Sequence, residues 1–136
     1  MSGRRRFAED TKVPILRSID EIRHTVARYG AEQFLHAAMD DRLIVGFTKD
    51  ARQVRFQIGQ DPGDAQNNRR LARALLLVLK AKLEAVASGV SIFEDEFLAN
   101  IVMPDGNLVA SHVRPRLQAA YANGGEAPAL LLDFSK

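Results

Sequence analysis

The stretch that decides the fold is NRRLARALLLVLKAKLEAVASG, residues 68–89. It predicts one long helix from about Asn68 to Ser88, closed by Gly89, because helices commonly end on a glycine in the left-handed conformation. Leu71, Ala72 and the run Ala74 to Leu79 make its middle apolar nearly all round, the pattern of a central element covered on more than one side. Arg69, Arg73, Lys80 and Glu84 fall on one edge. Lys82 falls on the apolar side with Leu71, Leu75, Val78 and Val86. A lysine buried there would have a depressed pKa and a catalytic use. One turn from the helix end, it also reaches solvent along its own stem, the reading taken here.

Upstream, Gly59 to Asn68 is a polar loop rich in glycine, proline and asparagine. Before it the period changes from helical to alternating. Leu43, Val45 and Phe47 form one alternating run and Val54, Phe56 and Ile58 another, with Lys49-Asp50-Ala51 as the turn of an antiparallel hairpin. Gln53, Arg55 and Gln57 then share the face opposite the core. Gln33 to Met39 offers a third strand through Asp40-Asp41. The first helix is expected from a capping box at Ser18 and Glu21 to a stop at Gly30, with Ile19, Ile22, Val26 and Tyr29 as its apolar stripe. Val13 to Leu16 is expected as an extended lead-in, since the residue before proline disfavours helix. Residues 1–12 are expected as a flexible basic arm.

Downstream, Ser91 and Glu94 offer another capping box, for a short helix whose Phe93, Phe97, Leu98 and Ile101 face inward. Met103-Pro104-Asp105-Gly106-Asn107 is a turn between Ile101-Val102 and Leu108-Val109. Ser111 is expected to start a last helix with Pro115 in its first turn and Val113, Leu117 and Tyr121 facing inward, ended by Gly124-Gly125. The segment from Pro128 to Phe134 is too apolar for a solvated end and should dock on the domain or on a partner. The expectation is one α+β domain over residues 13–136: an antiparallel β-hairpin or three-stranded sheet packed on a long central helix, with three shorter helices.

Composition narrows the chemistry. The chain has 136 residues and no cysteine, which removes disulfides, thiolate nucleophiles and cysteine-ligated zinc and fits a cytoplasmic protein. The longest apolar run is too short to span a bilayer, so no membrane is expected. His24, His36 and His112 lack ligand spacing, and no phosphate-binding glycine motif or nucleophile elbow is written. No cofactor and no catalytic residue are therefore assigned. Glu84, Glu94 and Asp105, with Lys82, would have to converge on one cation to make a metal-dependent nuclease. Glu94-Asp95-Glu96 is more simply a set of acids complementing a helix dipole.

Net charge is only +2, so any electrostatic role depends on where the charges sit. Arg4, Arg5 and Arg6 in the arm, Arg52 and Arg55 on the hairpin, and Arg69, Arg70, Arg73 and Lys80 on the long helix are the candidate phosphate-contacting residues. Such clustered cations give affinity without sequence preference. The chain has no tryptophan, and most of its phenylalanines sit at core-periodic positions, so no base-stacking platform is visible.

Three blocks carry a resemblance: VPILRSIDEIRHTVARYGA, RLIVGFTKDARQVRFQI and RRLARALLLVLKAKLEAVASGVSIFEDEFLANIVMPDG. Together they cover most of residues 13–106, and the chain resembles a group of small uncharacterised proteins of bacteriophages and bacterial mobile elements. The resemblance implies an accessory factor of phage DNA metabolism and carries over no site residue. Two functions follow as expectations. The first is a non-enzymatic nucleic-acid-binding protein acting on single strands or without sequence preference, with DNA favoured over RNA. The second is a protein-interaction module, such as a phage-encoded inhibitor of a host complex or a homo-oligomer. One contiguous basic stripe would favour the first, and scattered basic residues the second.

Overall fold

The computed structural model describes residues 2–128, with side chains from Pro14 onward. The elements run α1 (Ser2–Arg28), β1 (Gln33–Ala38), β2 (Arg42–Lys49), β3 (Arg52–Gly59), α2 (Ala65–Ala87), α3 (Phe93–Glu96), a 3-10 turn (Leu98–Asn100) and α4 (Val109–Ala122). The architecture is α+β: a three-stranded antiparallel sheet in the order β1-β2-β3 with four helices.

Antiparallel alternation sorts the sheet residues. The register sets Phe34 beside Phe47 and Phe47 beside Val54, and His36 beside Val45 and Val45 beside Phe56. Leu43, Val45, Phe47, Val54 and Phe56 therefore share one face, and all are buried under the helices. The β2–β3 turn is Asp50-Ala51, both with positive φ (52° and 60°), as a two-residue hairpin turn matched to strand twist requires.

Helix α1 extends back through the segment expected as an arm and an extended lead-in. Its backbone is helical from Ser2, with Pro14 inside it and no cap at Ser18, which is itself buried. The reason is packing: Ile15 precedes Ile19, Ile22 and Val26 at the same helical spacing and is buried with them. That continuation outweighs one backbone hydrogen bond missing at Pro14.

Helix α2 starts at Ala65, where the Asp64 side chain accepts from the Asn67 N–H. Buried Asn68 fastens the preceding loop, accepting from the Asp61 N–H and donating to the Asp61 carbonyl. The helix is covered on one broad face only: Ala72, Leu75, Leu76, Leu79 and Leu83 are buried, while Leu77 and Val78 are exposed. A single sheet and a single neighbouring helix cannot enclose it all round.

The segment after α2 closes the core. Phe97 is fully buried with its ring centroid 5.7 Å from Phe47, 6.2 Å from Phe56 and 5.0 Å from Phe93. Leu98, expected inward, is exposed. The Ser91–Glu94 capping box does not form, and Ile92 is the N-cap without a side-chain bond. The chain then bridges the free edge of β3. The Val102 N–H donates to the Gln53 carbonyl, and Asn100 Nδ2 donates to the Arg55 carbonyl. The turn at 103–107 is closed by a Val102–Leu108 bridge.

Helix α4 departs furthest from expectation. It begins at Val109 on an N-cap at Leu108, two residues before Ser111, which places Pro115 in its interior. Val109 and Ala110 are half-buried, but no residue of the helix is fully buried. Val113, Leu117 and Tyr121, expected in the core, are 49%, 54% and 57% exposed. The core is filled by the sheet, α1, α2 and the α3 segment, and among the described residues α4 packs against it through half-buried Val109 at its base, not through Val113, Leu117 or Tyr121. The apolar tail expected to dock, apart from Pro128, lies outside them.

Candidate functional site

Among the described side chains, the candidate basic residues fall on different faces. Arg52 lies at the end of β3 on the helix side, where its Nε is 3.2 Å from a carboxylate oxygen of Glu94. Arg55 points to the opposite sheet face and donates to the Gly106 carbonyl at 3.0 Å, so it braces the 103–107 turn. Arg73 is paired with Glu21 of α1 at 3.3 Å. Arg70 donates twice to Asn67 Oδ1. Arg69 and Lys80 are half-buried and have no ion-pair partner among the described residues. The side chains of Arg4, Arg5 and Arg6 lie outside the described ones.

What the fold does bring together is an open groove of about 530 Å3 between the C-terminal ends of α1 and α2. Thr25 and Arg28 line it from α1, Tyr29 from the turn just after, and Leu77, Lys80, Ala81 and Glu84 from α2. The Tyr29 hydroxyl donates to Glu84 at 2.8 Å. That bond favours the protonated phenol and raises its pKa. Arg28 belongs to this groove and was not singled out from sequence, because its partner wall, Leu77 to Glu84, lies far along the chain.

The acids that a metal-dependent nuclease would need are separated and engaged elsewhere. Glu84 accepts from Tyr29, Glu94 from Arg52, and Asp105 lies 2.8 Å from His112 Nε2. Among the described residues no group of three or more metal-ligating side chains converges. Lys82 is half-buried over the Phe97 ring and donates to the Glu96 carbonyl (2.9 Å) and carboxylate (3.1 Å). Its place on the apolar side of α2 is explained by this tie to α3.

The remaining feature is α4. On a helical wheel Val113, Leu117, Ala120 and Tyr121 make one apolar arc. Arg114 and Arg116 border it on either side, and the helix carries no acid. Its base is fixed. The Val109 N–H donates to the Ile101 carbonyl. The His112–Asp105 contact joins the first turn of α4 to the 103–107 turn. Asp105 has a pKa below the ordinary aspartate value, mainly because the Asn107 backbone N–H donates to it, with His112 acting in the same direction.

No protein-family model, curated protein or solved structure matches the chain. Among the described residues no helix is long and apolar enough to cross a membrane.

Proposed function

We propose that this protein acts by binding another protein through α4, as a non-catalytic interaction module. One observation carries the reading. A helix of 14 residues has no fully buried residue and presents Val113, Leu117 and Tyr121 in a row. Isolated helices of that length are marginal in water, and Pro115 removes one of its hydrogen bonds. Covering the apolar arc against a second surface supplies what the described residues do not. Anchors at i, i+4 and i+8 are the pattern of a helix that lies in a groove. With Arg114 and Arg116 at its borders, the partner's groove is apolar with an acidic rim. The resemblance to phage and mobile-element proteins makes a host complex the natural source of that groove.

The test compares wild type with Leu117→Glu in light scattering and in capture from host lysate. The variant should keep the wild-type melting curve and lose the association. A wild-type chain that is strictly monomeric and retrieves nothing that depends on Leu117 would overturn the reading.

A second reading has its own observation: Arg28 and Lys80 line the groove between α1 and α2, and Arg70 and Arg73 are exposed on α2. Binding there would be to phosphates of DNA, without sequence preference. Affinity would fall steeply with salt, and Arg70→Ala with Lys80→Ala would weaken all sequences alike. Absence of a fluorescence-anisotropy change at low salt removes this reading.

A further inference from the structure

The fold treats the two edges of its sheet differently. The outer edge of β3 is occupied: the Gln53 carbonyl accepts from the Val102 N–H, and the Arg55 carbonyl from Asn100 Nδ2. The outer edge of β1 has no such cover among the described residues. The Met39 N–H donates to the Arg42 carbonyl at 2.8 Å, closing the turn between β1 and β2. Bonding alternates along an antiparallel strand, so in this register Leu35 and Ala37 bond inward to β2. Phe34, His36 and Ala38 therefore direct their backbone N–H and C=O groups outward.

Natural sheets blunt an exposed edge with lysine, proline or a bulge. Gln33–Ala38, reading QFLHAA, contains no proline and no Lys, Arg, Asp or Glu. Its one irregularity is at the start, where the Glu32 N–H turns inward to the Thr48 carbonyl. On the sheet face away from the helices, Leu35 is 50% exposed, and the neighbouring pair Ala37 and Ile44 is half-buried. On the helix face, Phe34 lies with its ring centroid 6.2 Å from that of His36 and with the Arg23 guanidinium 5.7 Å above it.

An open edge takes an extended strand, with backbone bonds giving affinity and side chains giving selectivity. This strand complements itself. In an antiparallel pair of β1 strands with a twofold axis at Leu35, Phe34 meets His36 of the second copy. These two exchange both backbone bonds, and the same pair recurs across the axis. Leu35 meets its own copy in the non-hydrogen-bonded pair between them, where side chains approach most closely. Glu32 meets Ala38 and Gln33 meets Ala37, so no like charges are opposed. With the axis at His36 instead, Glu32 would oppose Asp40 on both sides, which is destabilising. With the axis at Phe34, Leu35 would oppose Gln33.

We propose that β1 pairs with β1 of a second copy of this chain, antiparallel and centred on Leu35, joining two three-stranded sheets into one. A twofold axis perpendicular to the sheet keeps the helices of both copies on one side. Helix α4 is rooted at the other edge, through Val109 and Ile101 beside Val54 of β3. The dimer therefore goes beyond the α4 reading and does not rest on it. A six-residue strand is a small contact, of the size found in weak and concentration-dependent complexes.

Sedimentation equilibrium of the full-length protein tests the pairing. The average mass should rise toward twice that of the monomer between about 5 and about 500 µM, the range of a weak complex. Leu35→Glu and Leu35→Lys should each stay monomeric, because each opposes like charges across the axis. Mixed in equal amounts, they should associate at least about tenfold more tightly than either alone. His36→Pro removes only an outward N–H, as an edge strand tolerates, and should abolish the dimer with little change in urea midpoint. If that variant does not fold, the Leu35 pair still decides. In wild type, amide exchange at Phe34 and His36 should slow about tenfold at the highest concentration, as new backbone bonds require. A wild-type monomer at every concentration overturns the proposal, as does a dimer that survives in both Leu35 variants. Leu117→Glu should dimerise like wild type. A dimer lost in Leu117→Glu but kept in Leu35→Glu would place the contact at α4 and sink the β1 pairing alone.

Discussion

In α2, Ala72, Leu75, Leu76, Leu79 and Leu83 are buried in the core shared with the sheet and α1, whereas in α4 Val113, Leu117 and Tyr121, at comparable spacing, stay about half exposed. Both helices carry apolar stripes, and both end on glycines with positive φ, Gly89 and Gly124. What separates them is the partner available. The stripe of α2 meets β2, β3 and α1, while the stripe of α4 meets none of these. Periodicity therefore reports that a face is apolar, not which surface covers it.

The sharpest test of this contrast lies in the cluster beneath α2. Phe97→Ala removes a fully buried ring that touches three other phenylalanines and should cost about 3–5 kcal/mol in urea denaturation. Leu79→Ala in α2 should cost about 2–5 kcal/mol. Leu117→Ala, the same chemical change in α4, should cost less than about 1 kcal/mol, because a half-exposed side chain leaves little cavity. Equal losses at Leu79 and Leu117 would mean that α4 belongs to the cooperative core. A smaller effect is expected at the tie between α2 and α3. Glu96→Gln keeps the shape but removes the charge facing Lys82, and should cost about 1 kcal/mol.

The smallest expected effect is at the base of α4. Asp105 has a lowered pKa in the fold, so its contribution is fully present above the unfolded aspartate value, about 3.9. That contribution is lost as pH falls through the lower folded value. The Asn107 amide resonance, followed by NMR, should shift with a midpoint below about 3.9. A midpoint at or above that value would remove Asp105 as the lock between the 103–107 turn and α4.

Much of the fold was legible in the residues. The alternation of Leu43-Val45-Phe47 and Val54-Phe56-Ile58 marked the hairpin, and a strand at 33–38 joined it despite its alanines. Capping boxes were less reliable guides. Ser18 and Ser91 had the right neighbours, yet one sits inside a helix and the other caps nothing. In the first case the apolar stripe from Ile15 runs straight through the supposed boundary, and burial of that stripe outweighs the gain from one cap. The basic residues show the same limit. Arg52, Arg55 and Arg73 read as unpaired cations, but their partners Glu94, Gly106 and Glu21 lie 42, 51 and 52 residues away in the chain.

The sequence by itself determined the α+β class, the strands, the long helix read at about 68–88 and the lack of cysteine chemistry, because these follow from local period, turn residues and composition. Only the tertiary structure decided which apolar faces are used, which cations are neutralised and where Lys82 points. Those depend on contacts between elements far apart in the chain, and no local pattern records them. The half-exposed stripe of α4 is the clearest case: its spacing was readable as a core face, and its isolation was not.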